Sequence, residues 1–382
     1  MMNMQIERGI VASVVRDTPS GRELLVEVNG GLERAYQEPA FGVFAEVGDV
    51  VTLNTTAVRL GLGTGGLHFV IGVDSREATQ RVHVPGHIMK LRYTPLQMAV
   101  HAVEEPDHPM HETMRHADSL YGTPVILCEL HSMLPAVAMS LHYQLERPCN
   151  LVYIMTDGGA LPIHFSKTVE ALKQKGLLSA TVTTGHAYGG DLEAVNLYSG
   201  LLAAKHVLHA DCIVVAMGPG IVGTGTPFGH TGIEIGQGVN AVHALEGEAV
   251  VVPRLSFAER RDRHRGLSHH TQTALGRVAL AQAIVPLPNL GDEEATLVWQ
   301  QITDAGLHVK HRLVGLSGRS ILDAAEHYQV PLRTMGRTLQ EDLAFFLAAG
   351  AAGEWVARTM KHPPKRYAGR VEDEALFADK NC

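Results

Sequence analysis

Residues 124–146, PVILCELHSMLPAVAMSLHYQLE, hold the reading that decides the fold. PVILC is a continuous apolar run, the composition of a strand buried on both faces. A helical stretch, MLPAVAMSLHYQLE, follows after a few polar residues. A buried strand feeding directly into a helix is the first half of a βα unit. The alternation then repeats downstream. NLVYIMT (150–156) precedes FSKTVEALKQKG (165–176), and LLSATVTTG (177–185) precedes DLEAVNLYSGLLAAKHVLHA (191–210). DCIVVAM (211–217) leads through a glycine run to GIEIGQGVNAVHALEG (232–247), and EAVVVPRL (248–255) precedes SHHTQTALGRVALAQA (268–283). Successive units of this kind predict an α/β domain over 123–360, a doubly wound, mostly parallel sheet with helices on both faces. A TIM barrel needs eight clean units, which the pattern does not supply. Beyond 292 the chain reads as mostly helical, with a helix-rich segment at 318–360 and a polar tail at 361–382.

Upstream the texture is different. GIVASVVRD (9–17), ELLVEVN (23–29), DVVTLNTTAVRL (49–60) and LHFVIGVD (67–74) are short runs rich in Val, Ile and Thr. They are separated by PSG, NGG and GTGG, which is turn chemistry. Residues 1–75 therefore predict a small all-β, barrel-like domain. Residues 76–122 read as a connecting segment with several prolines. Its histidine-rich stretch contains His101, His108, His111 and His116, with acids interleaved and Pro109 inside the HxxH pair, and reads as a solvated linker.

The chain has 382 residues, 45% of them hydrophobic and 19% charged, enough to bury a large core without cross-links. The net charge of −8 gives no basic face for nucleic acid. Four scattered cysteines form no metal-binding or disulfide pattern, which favours a reducing cytosol. No signal peptide is read at the N-terminus, and LAFFLAAGAAG (343–353) is too short to span a bilayer. The expectation is a cytoplasmic protein acting on a small anionic molecule, with no membrane or nucleic-acid partner; a homo-oligomer is compatible with the sequence.

In open parallel sheets, ligands bind beyond the carboxyl ends of the strands. The predicted strand ends carry the unusual residues. The first runs into Glu129 and His131. The second ends at Asp157, Gly158 and Gly159. The third ends at Gly185 and His186, with Asp191 beyond. Asp191 also suits the N-cap of the next helix. The fourth ends in GPGIVGTGTPFGHTG (218–232), where Gly218, Gly220, Gly223, Thr224, Gly225 and Thr226 form a candidate anion nest. Gly218, Gly220 and Gly223 also match GxGxxG, but the helix starts late and the following strand ends in Arg254 instead of an acid. Neither a Walker loop nor a nucleophile elbow is present.

The fifth strand ends at Arg254 and runs into RDRHRGLSHHT (261–271). Arg254 and Arg263 are candidate clamps for phosphate or carboxylate. Ser268 suits a helix N-cap, which puts His269 and His270 in a first turn where the neutral imidazole is favoured. His264, His269 and His270 are thus candidate ligands for a divalent metal, and no HExxH motif accompanies them. His131, Asp157, His186, Asp191 and His264 are the candidate catalytic groups.

Five segments in order, NTTAVRLGLGTGGLHFV, MTDGGALP, TTGHAYGGDLEAVN, MGPGIVGTGTPFGHTG and RHRGLSHHT, resemble a bacterial family known as domain of unknown function 3866. The resemblance covers residues 5 to 360. It implies a bacterial cytoplasmic protein and brings no activity or catalytic residue to carry over. From the residues themselves three functions compete: an enzyme on a small anionic or phosphorylated substrate, hydrolase or transferase; an NAD(P)-dependent oxidoreductase using the loop 218–229; and a non-catalytic ligand-binding or regulatory protein.

Overall fold

A computed structural model of the chain describes residues 4–19, 21–39, 43–62, 65–74, 85–145, 147–159 and 162–362. The N-terminal strands are β1 (Ile6–Thr18), β2 (Gly21–Val28), β3 (Gly31–Gln37), β4 (Val50–Asn54) and β5 (His68–Val73), with the short helix α1 (Thr56–Arg59) between the last two. They close into a barrel in the order β1-β2-β3-β5-β4. Irregularities between Val11 and Ser13 and between Val14 and Arg16 let one long β1 pair with β2 at one end and β4 at the other. Val11, Leu24, Val26, Ala35, Val51, Leu53 and Val70 fill the interior. The β2–β3 turn uses Asn29 and Gly30, both at positive φ, the tight hairpin that an Asn-Gly pair favours.

Residues 85–122 contain the hairpin β6 (Ile88–Lys90) and β7 (Met98–Val100) and the helix α2 (His111–His116). The main sheet then follows: β8 (Pro124–Cys128), β9 (Leu151–Thr156), β10 (Ala180–Thr184), β11 (Leu192–Ala194), β12 (Cys212–Met217), β13 (Glu248–Val252), and, after the two-residue strands β14 (Leu255–Ser256) and β15 (Gly266–Leu267), β16 (Ile284–Pro288) and β17 (Arg312–Leu316). The helices are α3 (Leu134–Leu145), α4 (Lys167–Gln174), α5 (Leu197–His206), α6 (Glu234–Ala244), α7 (His269–Thr273), α8 (Asp292–Asp304), α9 (Leu307–Lys310), α10 (Ser320–Tyr328) and α11 (Leu343–Lys361). The eight strands run in the order β11-β10-β9-β12-β8-β13-β16-β17, and every pairing is parallel. All residues of β9 and β12 are buried, as expected for central strands covered on both faces. Helices α3, α10 and α11 pack together over one side, while α5 and α6 pack together over the other.

The sheet is thus the predicted α/β domain behind a β-barrel, with more strands than the pattern reveals. Strand β3, GLERAYQ, lacks an aliphatic run, and β11 has only three residues. Strand β17 lies in the stretch read as mostly helical. Each is fixed by its neighbour's free edge. Asp191 is a correction. Its carboxylate accepts from the backbone N–H and hydroxyl of Thr181, at 2.8 and 2.9 Å, and pairs with Lys173 at 2.7 Å, so it caps no helix. The residues after it form β11, and the cap of α5 is Asn196, whose side chain accepts from the Ser199 N–H while the Ser199 hydroxyl accepts from the Asn196 N–H. The loop 185–191 has by then returned to the amino-terminal end of β10, away from the carboxyl edge.

The segment before the sheet docks on its edge. Ala102 bridges Glu193, and the Val103 N–H donates to the Glu193 carbonyl at 2.8 Å. The buried Lys90 ammonium reaches the Ala187 carbonyl at 2.7 Å and the Glu193 carboxylate at 2.9 Å. The tail beyond residue 362 lies outside the described residues. Cys128, Cys149 and Cys212 are free thiols and buried. Among the described residues, no helix is long and apolar enough to cross a membrane.

Candidate functional site

The strand order reverses at the middle of the sheet. From β9 the chain steps outward through β10 and β11, returns with β12 between β9 and β8, and leaves on the other side through β13. Such a reversal opens a crevice beyond the carboxyl ends of the central strands. Four segments meet there. Glu129 follows β8, and the glycine-rich loop 218–230 follows β12. Arg254 follows β13. The antiparallel pair β14–β15 then folds the loop 257–265 back, so that RHRGLSHHT returns to the same edge. Ser268 caps α7, its hydroxyl accepting from the His270 N–H at 3.2 Å.

These returns assemble four histidines. His264, His269 and His270 each offer a ring nitrogen, and these nitrogens lie within 4.8 Å of one another. The His269 and His270 ring centroids are 4.4 Å apart, and His264 is 4.9 and 4.8 Å from them. His230, from the end of the glycine-rich loop, stacks flat on His270 at 3.8 Å. Gly223 is required beneath them: a Cβ there would stand 2.9 Å from His270 Nε2. Gly232 is tightly packed as well: a Cβ there would stand 3.0 Å from Glu129 Cγ and press on that carboxylate.

Glu129 organises the floor. Its carboxylate accepts from Arg254 Nη1 at 3.0 Å, from His270 Nδ1 at 2.9 Å and from the Thr271 hydroxyl at 3.0 Å. Burial pushes its pKa up, but the His270 hydrogen bond and the Arg254 charge together outweigh that and hold it down at about 2. The ring pKa values fall as well, which for a base favours the neutral form. Burial first, then the Arg254 charge, pushes His264 down to about 3. Burial and the neighbouring rings push His269 down to about 4, and burial lowers His230 as well. These three rings are therefore neutral near pH 7, in a crevice whose positive potential comes from arginine. Three of the cluster's nitrogens, His230 Nδ1, His269 Nε2 and His270 Nε2, are buried without a hydrogen-bond partner.

The remaining predicted residues divide between this cluster and its surroundings. Arg263 lies beside Gly225, whose Cβ would be 3.4 Å from Nη1, and its charge acts on His269. Thr224 and Thr226 bond to each other at 2.9 Å and to Gly229, which closes the loop on itself. Gly158 and Gly159 face the next segment: a Cβ on Gly158 would meet the Glu234 carboxylate, and one on Gly159 the Gly218 carbonyl. Gly220, at φ +113°, has open space around it. Asp157 is exposed and accepts from the His186 N–H at 2.9 Å, while His186 Nδ1 accepts from the Leu91 N–H at 3.0 Å. His131 is buried with both nitrogens engaged, Nδ1 with the Tyr153 hydroxyl at 3.2 Å and Nε2 with the Ser166 hydroxyl at 2.6 Å, and burial pushes it down to about 4. Asp191 stands away from the crevice, as described above.

Sequence reasoning alone places Glu129 at a strand end without giving it a role, and leaves out His230 and Glu234. Glu129 directly follows a buried strand, and a carboxylate there is a signal that could have given it one. His230 and Glu234 lie past the glycines, where sequence gives no hint of the loop's return. Burial raises the Glu234 pKa, and the charge of Asp157 adds to this.

Fold and site together define a barrel-bearing parallel α/β protein with a buried histidine cluster, backed by a carboxylate, at the carboxyl edge of its sheet. The chain belongs to the family described as "Protein of unknown function (DUF3866)", whose model matches residues 34–353. No curated protein and no solved structure matches it.

Proposed function

We propose that the chain is an enzyme that hydrolyses or transfers a group on a small anionic substrate, phosphorylated esters first, in the crevice above β8, β12 and β13. One observation carries the reading. Arg263 has no hydrogen-bond or ion-pair partner among the described residues, and it lies over Gly225 next to a set of rings that are neutral near pH 7. Arg254 is compensated by Glu129, whereas the exposed Arg263 contributes a free positive charge at the mouth. An unpaired guanidinium beside general-base or ligand imidazoles is the arrangement that binds and activates a phosphate or carboxylate. The dinucleotide alternative has less support. A short turn at Thr231–Ile233 separates the glycines from α6, and the first turn of α6 carries a carboxylate, Glu234, where a pyrophosphate would need positive potential.

The test is thermal unfolding in saturating inorganic phosphate, together with a panel of generic phosphomonoesters. Phosphate should raise the Tm, since binding to the folded state stabilises it. Arg263→Ala should weaken phosphate binding by about tenfold or more, the loss expected for one charge-assisted contact. A wild-type protein whose Tm ignores phosphate and that turns over no ester would overturn the reading. A Tm rise with NAD or NADP alone would turn it toward the oxidoreductase.

A further inference from the structure

We propose that His264, His269 and His270 form a binding site for one divalent transition-metal ion, zinc first, and that Glu129 is the residue that positions His270 for it. This deepens the function proposed above and rests on its placing of the chemistry at the histidine cluster.

A neutral imidazole has one N–H donor and one lone pair. His270 Nδ1 lies 2.9 Å from Glu129 Oε1, a carboxylate that only accepts. In the neutral form that a metal ligand requires, the N–H is therefore on Nδ1 and the lone pair on Nε2. That lone pair is buried and meets no donor, and His269 Nε2 is equally buried and unpartnered. Leaving a buried polar atom unmet is costly, so two such atoms aimed into one cluster call for an occupant. His264 joins them through geometry: it offers a ring nitrogen within 4.8 Å of theirs, and its Nδ1 meets the Ser268 hydroxyl at 2.8 Å, a group that can accept or donate.

An occupant that satisfies several lone pairs at once is a cation with directional bonds. Imidazole nitrogens select zinc, copper, nickel or iron over calcium or magnesium. A metal-binding histidine characteristically gives its other N–H to a carboxylate or similar outer partner, which fixes ring and tautomer. Glu129 does this for His270. It is itself held by Arg254 and by the Thr271 hydroxyl. Three protein ligands leave a fourth position for water or substrate. A bound dication would add to the Arg263 charge there and polarise an anionic oxygen. His230 stands outside the ligand set: its Nε2 is 3.0 Å from the Pro227 carbonyl, its unpartnered Nδ1 lies against Gly232, and its face packs on His270 as a wall. The second histidine–acid trio, His87, Glu105 and Asp107, differs in kind. Its Glu105 carboxylate already accepts from the Ala102 and His87 N–H groups, and His87 and Asp107 are exposed.

The experiment uses the full chain purified without an affinity tag or chelator. Metal content is measured by mass spectrometry, and metal-stripped protein is titrated with Co²⁺ and followed by visible absorption. The expected result is near-stoichiometric metal and a Co²⁺ spectrum of a nitrogen-rich, low-coordinate site. His269→Ala should abolish both. Glu129→Gln should weaken Co²⁺ binding by about 10–100-fold and alter the spectrum. Removing the partner of Arg254 could prevent folding, and His269→Ala, which leaves the Glu129–Arg254 pair intact, then decides alone. Wild-type protein with neither metal nor a Co²⁺ spectrum overturns the site, even if phosphate still raises its Tm. His269→Ala protein that keeps the wild-type spectrum overturns the ligand assignment. A folded Glu129→Gln protein that binds Co²⁺ like wild type overturns the role of Glu129. Metal binding in a protein indifferent to phosphate would keep the site and remove the anionic-substrate reading instead.

Discussion

Glu129 sits one position past a strand whose residues are all at least partly buried, and in sequence it is one glutamate among many. What it does depends on Arg254, His270 and Thr271, which come from more than a hundred positions away. A second buried carboxyl, Glu38, shows how one residue links titration to stability. It lies at the end of the barrel strands, accepts from the Tyr36 hydroxyl at 3.3 Å, and is pushed by burial up to about 7. The folded pKa thus exceeds the ordinary 4.5. Its contribution is fully present below the unfolded pKa and is lost as pH rises through the folded one. Glu38→Gln should therefore match wild type near about pH 4 and be more stable near about pH 8, by on the order of 3 kcal/mol, in urea unfolding at the two pH values. An unchanged difference between the two would show that Glu38 is solvated. The site histidines were legible as residues, because HRGLSHH is dense and follows a strand. The neutrality of His269 was partly legible from the helix terminus, but its main cause, burial, was not.

At the scale of elements, local rules worked where the local signal was strong and failed where a neighbour decided. Ser268 caps α7 as its place before the histidines suggests, yet α7 gives way after Thr273 to a wider π turn, Ala274–Val278, in a stretch whose pattern reads as one helix. Gly236 of α6 packs against this turn so closely that a Cβ would meet the Ala274 carbonyl, so the packing of two elements shapes the second one. For α5 the expected cap was Asp191 and the actual cap is Asn196, joined to Ser199 in a reciprocal box. Asn196→Ala should cost about 1 kcal/mol of stability in chemical denaturation. Asp191→Ala should leave the helix intact and loosen the loop to β10, seen as faster amide exchange at Thr181. Equal effects of both on the helicity of α5 would contradict this assignment. Strand β11 was missed because three residues carry no periodicity; it exists because the open edge of β10 needs a partner and Glu193 also anchors Lys90 and Thr183.

Across the whole molecule the barrel is fastened to the α/β domain. Phe165 lies against Tyr36 at 5.3 Å and Phe69 at 5.8 Å, and ion pairs Arg16–Glu170 and Lys167–Glu23 flank it. Aromatic pairs contribute about 0.5–1.5 kcal/mol each, so Phe165→Ala should remove about 1–3 kcal/mol from the junction. Calorimetry should then resolve two unfolding transitions instead of one; a single transition at the wild-type Tm would mean the junction does not couple the domains. The class of fold was legible because a strand buried on both faces must be apolar throughout, and because turn residues mark each barrel strand. By itself, then, the sequence determined a β-barrel followed by a parallel α/β sheet and put glycines, arginines and histidines at strand ends. The tertiary structure alone decided the strand order, and with it which ends share the central crevice. Which partners each side chain meets was decided there as well. Hydrophobic periodicity reports the face a residue buries, a local property, whereas pairing order and side-chain partners depend on contacts between segments far apart in the chain.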